Sequence, residues 1–135
     1  MKTAIIAKKT DDHTDFIKNN ILPGLKNYLI FDFLNEYVEY EKRITFDSQS
    51  IQEIHDTVVK YIEDAPYSCL LILDNALCFL SPQKDKRFNN KFTFDWLTDL
   101  LRDKQFVINT TSIRQYTNVQ KVTVDKIYLF DTGNT

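Results

Sequence analysis

The chain has 135 residues, 43% hydrophobic and 13% aromatic, which suits one domain with a real core and leaves a second unexpectedly small. A formal net charge of −2 and a pI near 5.6 give no global electrostatic reason for tight binding to nucleic acid or a membrane surface. No run approaches the roughly 20 apolar residues that cross a bilayer, and the apolar stretch in MKTAIIAKKTDDH is too short for a secretory signal. The expectation is a protein that is intracellular or enclosed in a particle assembled inside a cell, without a membrane.

In chain order, a first strand is expected from Thr3 to Ala7, followed by the octet AKKTDDHT, residues 7 to 14. A helix is then expected from Thr14 to Leu22, with Phe16, Ile17 and Ile21 on one face and Pro23-Gly24 as its stop. A second strand is placed at Tyr28 to Asp32, and EYVEYEKRITF, residues 36 to 46, reads as either irregular or a short edge strand. Ser50 and Glu53 have the spacing of a capping box, and Ile51, Ile54, Val58, Tyr61 and Ile62 recur after it at helical period. In this helix His55 has polar neighbours and reads as a surface residue.

The third strand, Cys69 to Asp74, is a continuous apolar run, as expected where both faces of a sheet are covered. SPQKDKRFNNK, residues 81 to 91, is the most loop-like stretch, polar and locally basic. A third helix opens near Thr93 with Phe94, Leu97, Leu100 and Leu101 inward and Trp96 packed on the core. Strands at Phe106 to Thr110 and Lys126 to Phe130 follow. Cys69 and Cys78 have no CxxC partner and no nearby histidine, so buried free thiols are expected rather than a metal site.

Apolar runs alternating with helix-period segments predict a single α/β domain over residues 1 to 135. Its form is three-layered, with a mostly parallel sheet of about five strands and helices on both faces. Ligands of such a sheet bind outside the carboxyl ends of its strands. The informative residues are therefore Lys8 to Thr14 after the first strand, Asp74 and Asn75 after the third, and Asn109, Thr110 and Thr111 around the end of the fourth.

This order of elements resembles a P-loop NTPase of the FtsK/HerA type, the group of DNA translocases, conjugation ATPases and viral genome-packaging ATPases. The resemblance rests on the octet, on YLIFDFLNEY at 28 to 37, on LLILD at 70 to 74 as a Walker B strand, on VINTTSIRQ at 107 to 115 and on KIYLFDTGN at 126 to 134. It implies a P-loop NTPase-like core, with Lys8, Lys9, Thr14, Asp74 and Thr110 as the positions nearest a nucleotide and Asp74 as the magnesium position. It also implies a virus or mobile element as the setting.

Set against that pattern, the octet lacks what a phosphate loop needs. Ala7 and Asp12 stand at the glycine positions and His13 at the lysine; only Thr14 fits. A phosphate loop works through converging backbone N–H groups that glycine permits, and the chain's two glycines, Gly24 and Gly133, lie elsewhere. Asp11 and Asp12 add negative charge where a polyphosphate would sit. Asn75 occupies the position of the catalytic glutamate, and an amide takes no proton from water. ATP hydrolysis is not expected, no catalytic residue is assigned and no cofactor is required.

The expected role is that of a pseudo-ATPase, a structural or protein-binding component with a protein partner or self-association. In a plainer reading the octet is a solvated connection in which Asp11, Asp12 or Thr14 caps the first helix. Two alternatives stay open. One is an active or nucleotide-sensing NTPase using Lys8 or Lys9, with Mg·ATP held through Asp74. The other is a DNA-binding accessory module using Lys84, Lys86, Arg87 and Lys91, against which the acidic pI weighs.

Overall fold

The computed structural model describes residues 1–6, 10–47, 49–76, 94–110 and 124–129. The elements are β1 (Lys2–Ile6), α1 (Thr10–Phe16) continued by a π-helical turn (Ile17–Ile21), β2 (Tyr28–Asp32), β3 (Arg43–Thr45), α2 (Ile51–Asp64), β4 (Leu70–Leu73), α3 (Phe94–Leu100), β5 (Gln105–Thr110) and β6 (Lys126–Leu129). The six strands form one sheet in the order β3-β2-β4-β5-β1-β6, and every pairing is parallel.

The expected three-layer α/β arrangement is present, and the segment left open at 36 to 46 supplies the sixth strand, β3, at the edge beside β2. From β1 the chain moves three places along the sheet to β2 and on to β3, then returns through β4 to β5. Right-handed crossovers put connections of opposite direction on opposite faces, and the packing follows that rule. Ala4, Phe31, Leu71, Leu73, Phe106 and Ile108 meet Val58 and Ile62 of α2 and Leu97 and Leu101 beside α3. Ile5, Ile30, Leu70, Ile72 and Val107, the alternate residues of the same strands, meet Ile17, Leu22 and Tyr37. Leu71, Ile72 and Leu73 are all fully buried, which explains why β4 reads as a continuous apolar run; each such burial contributes about 1.5–3 kcal/mol.

The first helix begins four residues earlier than expected. Thr14 lies inside α1 rather than capping it, and both His13 and Thr14 are buried. They sit one turn before Ile17, on the same face, so two polar side chains extend the inward stripe that apolar residues alone had marked. In the π-helical turn the Leu22 N–H donates to the Ile17 carbonyl at 2.9 Å. In an α-helix residues five apart differ by roughly 140° in direction; the wider turn brings both Ile17 and Leu22 onto the core. Gly24, at φ +75°, then turns the chain away as expected after Pro23.

In α2 the capping box is complete: the Glu53 N–H donates to Ser50 Oγ and the Ser50 N–H to Glu53 Oε1, each at 3.2 Å. The inward face is His55, Val58 and Ile62, with Ile54 at its margin, whereas Ile51 is 57% exposed. His55 is therefore not a surface residue; it is 1% exposed, three residues from Val58, with its ring edge-on to Trp96 at 5.3 Å between centroids. Trp96 is half-buried against the α2/α3 core, and Cys69 is a half-buried free thiol. Among the described residues no helix is long and apolar enough to cross a membrane.

Candidate functional site

Ile30, Ile72 and Val107 lie side by side in β2, β4 and β5. Two residues farther along each strand come Asp32, Asp74 and Asn109, on the same α1-facing side by the period-two rule. All three are buried. The site is thus a polar row at the carboxyl edge of the sheet, where the connection after β2 leaves toward α1 and α3 packs on the opposite face. Such a parting of connections is where a parallel sheet opens a crevice.

Asp74 is the centre of this row and is 2% exposed. Thr14 Oγ1 donates to its Oδ2 at 2.7 Å, and Tyr37 Oη donates to the same oxygen at 2.6 Å. His13 Nδ1 lies 2.5 Å from Oδ1, with both groups shut off from solvent. That separation is within ion-pair range for a protonated ring, and Oδ1 has no hydrogen bond among the described residues. Burial and the Asp74 charge both push the Tyr37 phenol far up, so it stays a proton donor throughout the biological range.

Asp32 shapes the loop that brings Tyr37 into place. Its Oδ1 accepts from the Glu36 N–H at 2.8 Å and its Oδ2 from the Tyr37 N–H at 3.0 Å; Arg43 of β3 donates to Oδ2 at 2.8 Å. Lys18 adds a clamp from the π-helical turn, donating to the Glu36 carbonyl at 2.5 Å while pairing with Glu39 at 2.8 Å. Glu36 Oε1 accepts from the Asn75 amide at 2.8 Å. Its Oε2 is 3.3 Å from Thr14 Oγ1, whose single hydroxyl proton is directed to the nearer Asp74. Burial and the neighbouring Asp74 charge raise the Glu36 pKa.

Asn75 takes a left-handed conformation, φ 65°, which asparagine tolerates better than most residues. Its backbone N–H donates to Asn109 Oδ1 at 2.5 Å. Asn75 therefore forms the turn after β4 and ties it to β5 and Glu36.

Of the residues singled out from the sequence, Thr14 and Asp74 come together. Thr110 ends β5 opposite Ile6, and its side chain is outside the description. Lys8, Lys9, Thr111, Lys84, Lys86, Arg87, Lys91 and Cys78 lie outside the described residues. Sequence reasoning missed Asp32, Glu36 and Tyr37, and it gave His13 no structural part. Asp32 had a signal, since it ends the apolar run YLIF as Asp74 ends LLIL and Asn109 follows FVI. Tyr37 had none; only the turn built on Asp32 brings it to Asp74.

Among the described residues Asp74 offers magnesium no open ligand position. Magnesium needs open oxygen ligands and several waters in octahedral geometry. Here the Asp74 carboxylate is buried under three groups of its own chain. Among the described residues no group of three or more histidine, cysteine, aspartate or glutamate side chains is arranged to hold a metal ion. What the row does chemically is bind loop to sheet, with donors converging on one acceptor. No protein-family model matches the chain, and neither the curated proteins nor the solved structures contain a significant match to it.

Proposed function

We propose that the chain is a P-loop NTPase-like domain of the FtsK/HerA type that has lost nucleotide chemistry. It serves as a structural or protein-binding component of a virus or mobile genetic element. The observation that carries this reading is the state of Asp74, whose carboxylate is taken by His13, Thr14 and Tyr37 rather than left open to a ligand. The 2.7 Å contact of Thr14 with Asp74 supports the resemblance, since these are the two positions that match its motifs. The buried imidazole at the lysine position supports the loss.

The binding role draws support from the loop after β2. Leu34 and Val38 are 49% and 64% exposed, in the loop whose Glu36 and Tyr37 are hydrogen-bonded to Asp32 and Asp74. Apolar groups fixed in advance lose little freedom when a protein partner covers them.

Calorimetry with Mg·ATP and Mg·GTP tests the first half of the proposal. No heat and no thermal shift at millimolar nucleotide is expected; micromolar binding that disappears in Asp74→Ala overturns it. Co-purification from native lysate tests the second half. A partner lost on Leu34→Ser/Val38→Ser is expected, and a strictly monomeric, partnerless chain is the contrary result.

A further inference from the structure

We infer that His13 is an internal ligand: its imidazole fills a buried, Asp74-walled site that will take up free imidazole once the side chain is removed. The inference rests on the reading above and names what occupies the site in place of an outside cation.

A buried carboxylate needs compensation, because transferring an isolated charge out of water is far costlier than any single hydrogen bond returns. Two hydroxyl donors reach Oδ2 of Asp74, but both are neutral. The neighbouring cations are engaged elsewhere: Arg43 faces Asp32, and Lys18 faces Glu39 and the Glu36 carbonyl. Among the described residues His13 alone brings a titratable nitrogen to Asp74 Oδ1.

The manner in which His13 is held makes it replaceable. The ring is 0% exposed, so removing it leaves a closed cavity rather than a surface notch. Its Nδ1 touches Asp74 and lies 3.4 Å from Thr14 Oγ1. Its Nε2 is buried with no hydrogen-bond partner among the described residues. All the specific polar contact is therefore on one edge of the ring, and the tether to the backbone supplies position but no further polar bond. A cavity with one carboxylate wall selects a small planar N–H heterocycle over an anion or a purely apolar guest. The expected ligand class is imidazole and its protonated form, and the Asp74 carboxylate disfavours phosphate.

The test uses His13→Gly, with imidazole as the probe and thermal melting as the readout. The variant is expected to melt below the natural chain and to regain roughly 5 °C, in a saturating manner, as imidazole is added. The natural chain and the double variant His13→Gly/Asp74→Asn are expected to show no such rise. An imidazole response no larger in His13→Gly than in the natural chain overturns the inference.

A second measurement needs no folded glycine variant. In the natural chain, nitrogen-15 NMR of histidine is expected to show a His13 ring proton on Nδ1, protected from exchange and lost in Asp74→Asn. A His13 ring whose protons exchange freely with solvent overturns the inference. The two proposals fail separately. Nucleotide binding by the natural chain removes the reading of lost chemistry, whereas an imidazole-deaf variant beside a nucleotide-deaf natural chain removes only the internal ligand.

Discussion

Toward α2 and α3, β4 contributes Leu71 and Leu73 and meets Val58, Ile62, Leu97 and Leu101. Toward α1 it contributes Leu70 and Ile72 and then, at its end, Asp74. The two faces use one backbone and one alternation and both bury an apolar core, but the second ends in a polar edge. The first face is held by apolar area, which is non-directional and responds to mutation in proportion to the volume removed. The carboxyl edge of the second is held by a shared acceptor, where the loss of one member strands the others. The lesson is that a parallel sheet can carry an apolar core on both faces and add a polar lock at the edge of one without altering its strands.

The largest effect is expected from Asp74→Ala, which leaves His13, Thr14 and Tyr37 without their acceptor. A loss of about 4 kcal/mol, within the range for breaking a buried ion pair, should appear as a lower urea midpoint. Next comes Leu71→Ala on the opposite face, expected at about 3 kcal/mol from lost burial and the cavity left behind. If Asp74→Ala costs less than 1 kcal/mol while Leu71→Ala behaves as stated, the polar lock is ornamental and the contrast between faces is gone.

Tyr37→Phe removes one hydroxyl from the lock and should cost about 1.5 kcal/mol, the size of a hydrogen bond to a charged group. Combined with Asp74→Asn it should be non-additive by 0.5 kcal/mol or more, whereas combined with Leu71→Ala on the far face it should add. Strict additivity in both cycles, measured by urea unfolding, would show that the hydroxyl and the carboxylate act independently.

The smallest effect sharpens the electrostatics. Because the Glu36 pKa is raised in the fold, the native state holds that proton more tightly than the unfolded chain. Its contribution is full below the ordinary value of 4.5 and is lost as pH rises through the raised value. Glu36→Gln should therefore leave stability at pH 7 unchanged or slightly higher, with the advantage over the natural chain shrinking toward pH 4. A partly exposed group carries only a modest effect, within about 0.5 kcal/mol. A variant that is markedly less stable at pH 7 would show that the fold favours the Glu36 carboxylate, contrary to its raised pKa beside Asp74.

The sheet was legible because its strands are covered on both faces and so appear as unbroken apolar runs; LLIL and FVI need no partner to be recognised. The Ser50–Glu53 box was legible for a similar reason, being local and reciprocal. β3 was not settled, since three residues flanked by charges carry too little period to distinguish a strand from a loop. His55 was misjudged by the rule that a polar side chain on a helix belongs outside, and His13 was passed over because the helix was begun one residue after it. His13 is drawn in by Asp74 and His55 lies on the Val58–Ile62 stripe. The lock joins residues 13, 14, 32, 36, 37, 74, 75 and 109, which no window of the sequence contains.

The left-handed turn at Asn75 limits what can stand in its place. A glutamate introduced there would carry a longer side chain at φ 65°, a conformation that costs residues other than glycine and asparagine roughly 1–2 kcal/mol. It would also exchange the amide that donates to Glu36 for a second carboxylate facing it. One substitution thus alters backbone, hydrogen bond and charge at once. The turn acts as a filter on sequence: its side chain must tolerate the left-handed backbone and donate to Glu36, and asparagine does both.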